Sequence, residues 1–206
     1  NRVPLMGYSD FTGLMIAANQ LAGVPAYYGC MLLSDFSGWV HNRQVRLLRQ
    51  VLNHEPLTYN LPGTVIKKGK GNECSGISIA GCLSLLTSLT GTRYFKQYKK
   101  DNIIFIEDIG EEPYRLDRMF THLKTAGVFK RTKALLIDFR DCRPAKRNRG
   151  TLPIADSLRE IFADYDFPII DFPRFGHRQN RIIIPLGATC SLRVSGSRIS
   201  INFQEK

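Results

Sequence analysis

A serine at a sharp turn near the start of the sequence has the setting of a nucleophile. Residues 3–6 predict a short buried strand, residues 7–10 (Gly-Tyr-Ser-Asp) a turn, and Phe11–Ala22 a helix. Such a strand, turn and helix expose the serine hydroxyl at a sheet edge and aim the next backbone N–H at a developing oxyanion. Ser9 is therefore the candidate nucleophile, and the N–H of Asp10 is the candidate oxyanion donor.

A carboxylate and a histidine follow two apolar runs later in the sequence. Glu107 comes directly after residues 103–106, and His177 comes shortly after residues 167–171. Sites in open α/β sheets form at the carboxyl ends of the strands, so we expect Ser9, Glu107 and His177 at one sheet edge. Serine, acid and histidine occur here in a chain order known for acyl-transfer triads. In such triads histidine deprotonates serine, and the carboxylate orients histidine.

Each of these residues has a structural alternative. Ser9 or Asp10 would cap the following helix, because both residue types accept hydrogen bonds from the free N–H groups of a helix start. Glu107 would cap the next helix or pair with a nearby arginine, and His177 would be an ordinary loop residue. The whole chain has four histidines, so a chance histidine at this edge is less expected. The three residues together favour catalysis.

Alternating strand and helix patterns surround the candidate residues. The predicted helices cover residues 11–22, 39–53, the leucine segment that ends at Gly91, 113–127 and 154–162. The predicted strands cover residues 3–6, 103–106, 134–139 and 167–171, and a final meander of 181–185, 189–194 and 198–203. Residues 26–37 are predicted to be irregular. Residues 56–75, rich in Gly, Lys and Pro, are predicted to leave the main core as a small hairpin lobe.

Composition limits the class of protein and its partners. The chain has 206 residues, 43% of them hydrophobic, which is enough for a globular core. Its net charge of +11 would suit nucleic acid. However, the densest basic runs, residues 67–70 and 143–149, lie among Gly, Pro and Asn and have no interleaved aromatic residues. We therefore expect solvated loops there and no nucleic-acid partner.

The cysteines and the apolar runs bear on metals, membranes and compartment. Five scattered cysteines show no Cys-x-x-Cys spacing and no nearby histidine pair, so we expect free thiols, no metal and no cofactor. The sequence has no apolar run of the roughly 18 to 20 residues that a membrane helix needs, and no membrane partner is expected. Free thiols are typical of a reducing compartment, which predicts a cytoplasmic protein.

Three separated blocks resemble the LD-carboxypeptidase family, the muramoyltetrapeptide carboxypeptidases. The blocks are residues 3–12, residues 104–119, and residues 175–177 followed by Leu186-Gly187. In that family the serine of the first block is the nucleophile, the glutamate of the second orients the base, and the histidine of the third is the base. The resemblance therefore implies these roles for Ser9, Glu107 and His177. It also implies that the N–H of Asp10 supplies part of the oxyanion hole.

The resemblance also implies a fold and a domain organisation. The expected fold is α/β, the C-terminal catalytic part of an LD-carboxypeptidase-like fold with a small parallel core sheet, flanking helices and a terminal β meander. Residues 1–25 would be the end of an N-terminal α/β domain that carries the elbow. Residues 26–75 would be a connecting segment and excursion, and residues 76–206 a C-terminal α/β domain that carries the acid and the base.

The sequence departs from the family pattern at several places. The family has an Arg-Gly-Gly block before the elbow that completes the oxyanion hole, and this sequence enters a strand at its third residue without such a block. We therefore expect the later part of a longer protein, which alone is weakly active or inactive. The alternative is that a backbone N–H near Gly29 or Gly81 fills the hole. Residues 28–30 (Tyr-Gly-Cys) and 80–83 (Ala-Gly-Cys-Leu) also differ from the usual His-Gly-Pro and Gly-Gly-Asn-Leu, which suggests an altered groove.

The function predicted from these observations is a metal-independent serine carboxypeptidase. It would remove the terminal D-alanine from murein tetrapeptide, or act on a related peptide, during peptidoglycan recycling. Because relatives that cleave microcin-type conjugates share the triad, the first alternative is an immunity-type serine amidase. A second alternative is a non-catalytic binding module of the same fold, and a weaker one is nucleic-acid binding by the basic loops. A homodimer is compatible with the sequence, which does not fix the oligomeric state.

Overall fold

The computed structural model describes residues 3–37, 42–96, 99–144, 150 and 152–204. Its helices are α1 (Phe11–Ala22), α2 (Leu32–Phe36), α3 (Asn42–Leu52), α4 (Leu83–Leu89), α5 (Pro113–Thr125) and α6 (Ile154–Ile161). Its strands are β1 (Leu5–Gly7), β2 (Ala26–Tyr28), β3 (Leu57–Pro62), β4 (Thr64–Lys67), β5 (Glu73–Cys82), β6 (Asn102–Ile109), β7 (Thr132–Arg140), β8 (Ile169–Asp171), β9 (Ile184–Pro185), β10 (Thr189–Ser195) and β11 (Arg198–Gln204). Helices and strands alternate through most of the chain, as expected for an α/β fold.

The strands form two sheets. A three-stranded sheet has the order β1-β2-β9, with β1 and β2 parallel. An eight-stranded sheet has the order β3-β11-β10-β5-β6-β7-β8-β4, and its centre, from β5 to β8, is parallel. The terminal meander, β10 and β11, joins this sheet through antiparallel pairing of β10 with β5. The predicted parallel core therefore extends into one larger mixed sheet.

Strand β6 lies at the centre of the large sheet and is almost entirely buried. All residues of β6 except the last are buried, and Phe105 and Ile106 have no exposed surface. Continuous apolar runs of this kind are typical of parallel strands that are covered on both faces. Parallel pairing sets Glu107 of β6 level with Asp138 of β7 and with Cys82 of β5. Three polar or thiol side chains therefore meet at the carboxyl edge of the sheet.

The large sheet curls until its two edge strands meet at Gly63. This single residue separates β3 from β4 along the chain, although the two strands lie at opposite ends of the strand order. In a flat sheet, eight strands spaced about 4.8 Å apart would put those ends roughly 34 Å apart. Residues two positions apart can span only about 7 Å, so the sheet has to close on itself. The junction is tight, because a Cβ at Gly63 would come 2.8 Å from Ile199 Cγ1.

Two local predictions were wrong. Residues 26–37 are not irregular, because they contain β2 and α2, and all three residues of β2 are buried. The segment rich in Gly, Lys and Pro does not form a hairpin lobe. Its strand β3 pairs with β11, and β4 pairs with β8. The alternation of buried and exposed residues in β3, with Leu57 and Tyr59 inward, is the pattern of a sheet strand.

The remaining predicted elements agree with the structure or lie outside its described part. Helices α1, α5 and α6 occur where expected, and Pro113 is the first residue of α5. The helix predicted from residue 39 is described from Asn42, and residues 39–41 are outside the described ranges. Residues 145–149 of the second basic run are also outside them. Within those ranges, no helix has both the length and the apolar content of a membrane span.

Candidate active site

Ser9 lies in a strained turn between β1 and α1. Its φ of 59° is in the left-handed region, which residues with a side chain rarely adopt, and such strain is typical of a nucleophile elbow. The N-cap of α1 is Asp10, whose side chain makes no capping hydrogen bond. Asp10 thus occupies the N-cap position, but the alternative in which its side chain caps the helix through a hydrogen bond is wrong. The turn holds its shape through backbone bonds, including Thr12 N–H to Ser9 O at 2.9 Å.

Glu107 and His177 are in direct contact. His177 Nδ1 lies 2.8 Å from Glu107 Oε2, and the side chains are 18% and 1% exposed. An ionised carboxylate can only accept, so in the neutral imidazole the Nδ1 nitrogen carries the proton and Nε2 has the lone pair. Glu107 does not pair with Arg115, which instead contacts Glu111 at 3.1 Å. The imidazole is thus held in the tautomer that a general base needs.

A second buried carboxylate fixes the loop that carries His177. Asp138 is 1% exposed and accepts hydrogen bonds from Arg178 Nε at 2.8 Å and from Phe175 N–H at 3.4 Å. These two donors flank His177 in the sequence. Burial raises the pKa of Asp138 to about 6, although Arg178 and the Phe175 N–H oppose the rise. Asp138 therefore holds the residues on both sides of His177.

The backbone next to His177 approaches Glu107 very closely. Gly176 has a φ of 63°, and a Cβ at this position would overlap the Glu107 side chain. Only glycine adopts this conformation without cost and leaves room for the carboxylate. On the other side, Arg140 Nη1 donates to His177 O at 2.6 Å. The loop is therefore held at both its side chains and its backbone.

Aromatic and ionic contacts support the other face of the imidazole. The Tyr8 ring meets the His177 ring edge to face, with centroids 5.0 Å apart. The Arg181 guanidinium lies 4.2 Å from the centroid of Tyr8 and forms a buried ion pair with Asp35 at 2.6 Å. The Tyr8 hydroxyl donates to Ser34 Oγ at 3.1 Å. Tyr8, which precedes Ser9, is thus fixed between α2 and His177.

The structure links Ser9 to this pair through a tyrosine rather than directly. No hydrogen bond joins Ser9 to His177 in the described part of the chain. Ser9 N–H instead donates to the Tyr28 hydroxyl at 3.2 Å, and that hydroxyl donates to Glu107 Oε1 at 2.6 Å. Catalytic hydrogen bonds are often long before substrate binds, so this geometry is compatible with a Ser9–His177 bond in the substrate complex.

Backbone donors for an oxyanion are few around the elbow. Asp10 is the N-cap of α1, and the N–H groups at a helix start have no intrahelical acceptor. The Gly29 N–H donates to Gly7 O at 2.9 Å, and the N–H of Cys82, next to Gly81, donates to Thr12 Oγ1 at 3.1 Å. The sequence alternative is a backbone N–H near Gly29 or Gly81, and these two N–H groups, one at each place, already have acceptors. Among the described residues, no group of three or more His, Cys, Asp or Glu side chains is arranged to hold a metal ion.

Comparison with known proteins identifies the family. The family profile described as LD-carboxypeptidase C-terminal domain matches residues 75–192. The chain belongs to the LD-carboxypeptidase family. The probable murein peptide carboxypeptidase of Bacillus subtilis (strain 168) is 33% identical over 198 residues, which cover 92% of this chain and 59% of that protein. The microcin C7 self-immunity protein MccF of Escherichia coli is 23% identical over 231 residues, 97% of this chain and 65% of that protein.

Solved structures share the fold of this LD-carboxypeptidase family member. The muramoyltetrapeptide carboxypeptidase from Oxalobacter formigenes superimposes with a TM-score of 0.84 at 23% identity, over 97% of this chain and 68% of that one. Wild-type MccF in its apo state gives a TM-score of 0.83 at 21% identity, over 99% and 68% of the two chains. The predicted fold is therefore confirmed. The chain spans about three fifths of the length of the B. subtilis relative.

Sequence reasoning missed two residues that complete the site. Asp138 is the penultimate residue of the strand predicted at 134–139, so the strand-end argument used for Glu107 does not select it, and only the register of β6 with β7 sets it level with Glu107. Tyr28 lay in a segment predicted to be irregular, and only the pairing of β2 with β1 brings it to the elbow. A tyrosine in a short apolar run carries no local signal of a role in a site.

Proposed function

We propose that this chain is the catalytic part of a serine-type LD-carboxypeptidase that removes the terminal D-alanine from murein tetrapeptide. The observation that carries the proposal is the buried Glu107–His177 pair beside a serine in a strained elbow. The murein peptide carboxypeptidase name of the 33% identical relative supports the substrate class. Release of D-alanine from a tetrapeptide belongs to peptidoglycan recycling. Five free thiols fit a reducing compartment, so we place the reaction in the cytoplasm.

The proposed reaction is a two-step acyl transfer. His177 Nε2 takes the Ser9 proton as Ser9 Oγ attacks the carbonyl carbon of the bond to D-alanine. The oxyanion of the tetrahedral intermediate accepts a hydrogen bond from the Asp10 N–H. His177 then donates the proton that it took from Ser9 to the leaving amine. Water, deprotonated by His177, then attacks the acyl carbon, and His177 passes that proton to Ser9 Oγ as the ester bond breaks and the carboxylic acid product leaves. Glu107 orients the imidazole throughout and stabilises its cation.

A second candidate function is hydrolysis of a microcin-type peptide conjugate. The similarity to MccF at 23% identity over 97% of the chain favours it as the alternative. Both reactions use the same nucleophile, base and acid, and they differ in the leaving group. Parallel assays of D-alanine release from murein tetrapeptide and of hydrolysis of an aminoacyl sulfamoyl nucleoside distinguish them. Faster turnover of the nucleoside conjugate would favour the immunity-type amidase.

Replacing Ser9 tests the proposed function. In the full-length gene product, Ser9→Ala should lower D-alanine release by about 10⁴- to 10⁶-fold, because it removes the nucleophile of a concerted group. The melting temperature should change little, since the strained turn rests on backbone bonds. Ser88→Ala is the matched control, because Ser88 bonds only to its own helix, α4, and is exposed. Activity that survives in S9A would overturn the role of Ser9.

The same assay tests the 206 residues by themselves. We propose that they turn over substrate slowly, because an oxyanion hole with one backbone donor instead of two costs about 10²- to 10³-fold in rate. Around the elbow, the Asp10 N–H is the donor left open while Gly29 and Cys82 are engaged. Equal rates for the 206 residues and for the full-length gene product would contradict this.

A further inference from the structure

Tyr28 stands at the point where the two sheets meet in the site. It belongs to β2 of the three-stranded sheet and lies level with Gly7 of β1, two residues before the nucleophile. Its side chain has no exposed surface. From this position the phenol reaches Glu107 of β6, in the eight-stranded sheet. Tyr28 is therefore a direct polar connection between the sheet that carries Ser9 and the sheet that carries the acid.

The direction of each hydrogen bond follows from the chemistry of the groups. Burial and the neighbouring Glu107 carboxylate raise the pKa of Tyr28 well above its ordinary value, so the phenol keeps its proton. An ionised carboxylate cannot donate, and the single phenolic proton therefore goes to Glu107 Oε1 at 2.6 Å. The oxygen lone pairs remain for the Ser9 N–H at 3.2 Å. One hydroxyl group thus makes hydrogen bonds with both the Glu107 carboxylate and the Ser9 backbone N–H.

Resting on the proposed function, we propose that Tyr28 is a positioning residue that sets the nucleophile elbow against the acid–base pair. Glu107 uses Oε2 for His177 and Oε1 for Tyr28, so the two bonds fix the plane of the carboxylate. The bond from the Ser9 N–H holds the elbow in its strained conformation at a fixed distance from that carboxylate. The relative position of Ser9 and His177 therefore depends on a residue that touches no substrate.

A tyrosine elsewhere in the core supplies a matched control. The Tyr59 hydroxyl donates to Ile183 O at 3.0 Å and accepts the Ile183 N–H at 3.1 Å, and Tyr59 is 5% exposed. Like Tyr28, it is buried and makes one donated and one accepted bond. Its partners belong to the backbone outside the site. Replacing either tyrosine with phenylalanine removes the same atom, but only Tyr28→Phe releases Glu107 and Ser9.

The experiment compares Y28F and Y59F with the unmodified full-length gene product. Y28F should lower kcat for D-alanine release by about 10- to 100-fold with KM within about twofold, because a bond to a charged group and the elbow position are lost while substrate contacts remain. Y59F should lose a similar amount of thermal stability and keep its kcat. A kcat in Y28F no lower than in Y59F would overturn the role of Tyr28, as would a change confined to KM.

Other outcomes separate this inference from the proposed function. If the unmodified protein releases D-alanine and Y28F does so equally well, the role of Tyr28 falls and the proposed function stands. If the unmodified protein releases none, the proposed function falls, and this inference falls with it.

A measurement on the intact protein covers the case in which Y28F does not fold. With tyrosine labelled at Cζ, the Tyr28 hydroxyl proton should exchange slowly and resonate strongly downfield, as a short bond to a buried carboxylate requires. Tyr59 serves as the reference resonance in the same spectrum. A Tyr28 hydroxyl proton that exchanges rapidly with water would overturn the inference.

Discussion

At the scale of single residues, the site concentrates buried charge around one histidine. Glu107 and Asp138 are each 1% exposed, lie level with one another on adjacent strands, and each has a cationic or polar partner in the His177 loop. Two carboxylates this close share one electrostatic environment, and the burial of Asp138 raises its pKa to about 6. Asp138, which holds the His177 loop, is thus a buried carboxyl group that changes its protonation near pH 6.

The pKa of Asp138 predicts a pH dependence of stability. Since the folded-state pKa is above the ordinary value of 3.8, the folded protein binds this proton more tightly than the unfolded chain. The stabilisation is present in full below about pH 4 and is lost as pH rises through 6, by up to about 3 kcal/mol. The difference in unfolding free energy between the unmodified protein and Asp138→Asn should therefore fall between pH 4 and pH 7.

The control variant for this prediction should show the opposite dependence of stability on pH. A hydrogen bond from Lys124 holds the pKa of the exposed Asp164 below its ordinary value. Its stabilisation is present above the unfolded pKa and is lost as pH falls, so the difference for Asp164→Asn should rise with pH. Denaturant titrations at several pH values measure both differences. A difference for D138N that rises with pH would show that burial does not dominate at Asp138.

At the scale of elements, the junction between β3 and β4 is where the large sheet closes. Gly63→Ala should lower the unfolding free energy by about 1 to 3 kcal/mol, because the added Cβ meets Ile199 and Phe172 in a packed core. Gly13→Ala on α1 is the control, since its Cβ would find its nearest neighbour at 4.0 Å. It should raise the unfolding free energy by up to about 1 kcal/mol. Urea denaturation measures both, and equal stability of G63A and the unmodified protein would contradict a tight junction.

The elements that were predictable have strong local signals. Helix α1 follows a turn and ends at Gly23, α5 starts at a proline, and β6 and β7 each contain an unbroken apolar run. Strand β2 has only three residues, and its pairing with β1 depends on contacts that no local pattern encodes. Glu107 and His177 follow strands with strong local signals, so the strand-end argument found both, and the two side chains are in contact. Tyr28 lies on β2 and could be found only from the assembled sheets.

At the scale of the whole molecule, the site is shared between two sheets, and polar contacts connect them near the elbow. Thr12 of α1, which follows the elbow, accepts the Cys82 N–H at 3.1 Å, and Cys82 lies level with Glu107. Thr12→Val keeps the shape but leaves a buried N–H unpaired, which should cost about 1 to 3 kcal/mol of unfolding free energy. It should also lower kcat by about threefold to tenfold, since α1 and the elbow lose their register with β5.

A threonine on another helix provides the comparison for Thr12→Val. Thr125 bonds only to Thr121 O within α5 and is exposed, so Thr125→Val should change neither kcat nor stability by a comparable amount. Thermal unfolding and D-alanine release are measured on both variants. A Thr12→Val protein with unchanged kcat would mean that the two sheets keep their relation without this contact.

The closed sheet has a consequence for the order in which the protein folds during synthesis. Strand β3 pairs with β11, so that Leu57 faces Phe203 and Pro62 faces Arg198. At ribosomal rates of about 5 to 20 residues per second, the partner of β3 is made roughly 7 to 30 s later. The parallel centre, by contrast, is complete once β8 has been made. The inward side chains of β3 therefore stay exposed on the nascent chain until β11 has been made. Pairing of β3 with β11 closes the sheet between residues that are far apart in the sequence, and it is therefore the late and slow step.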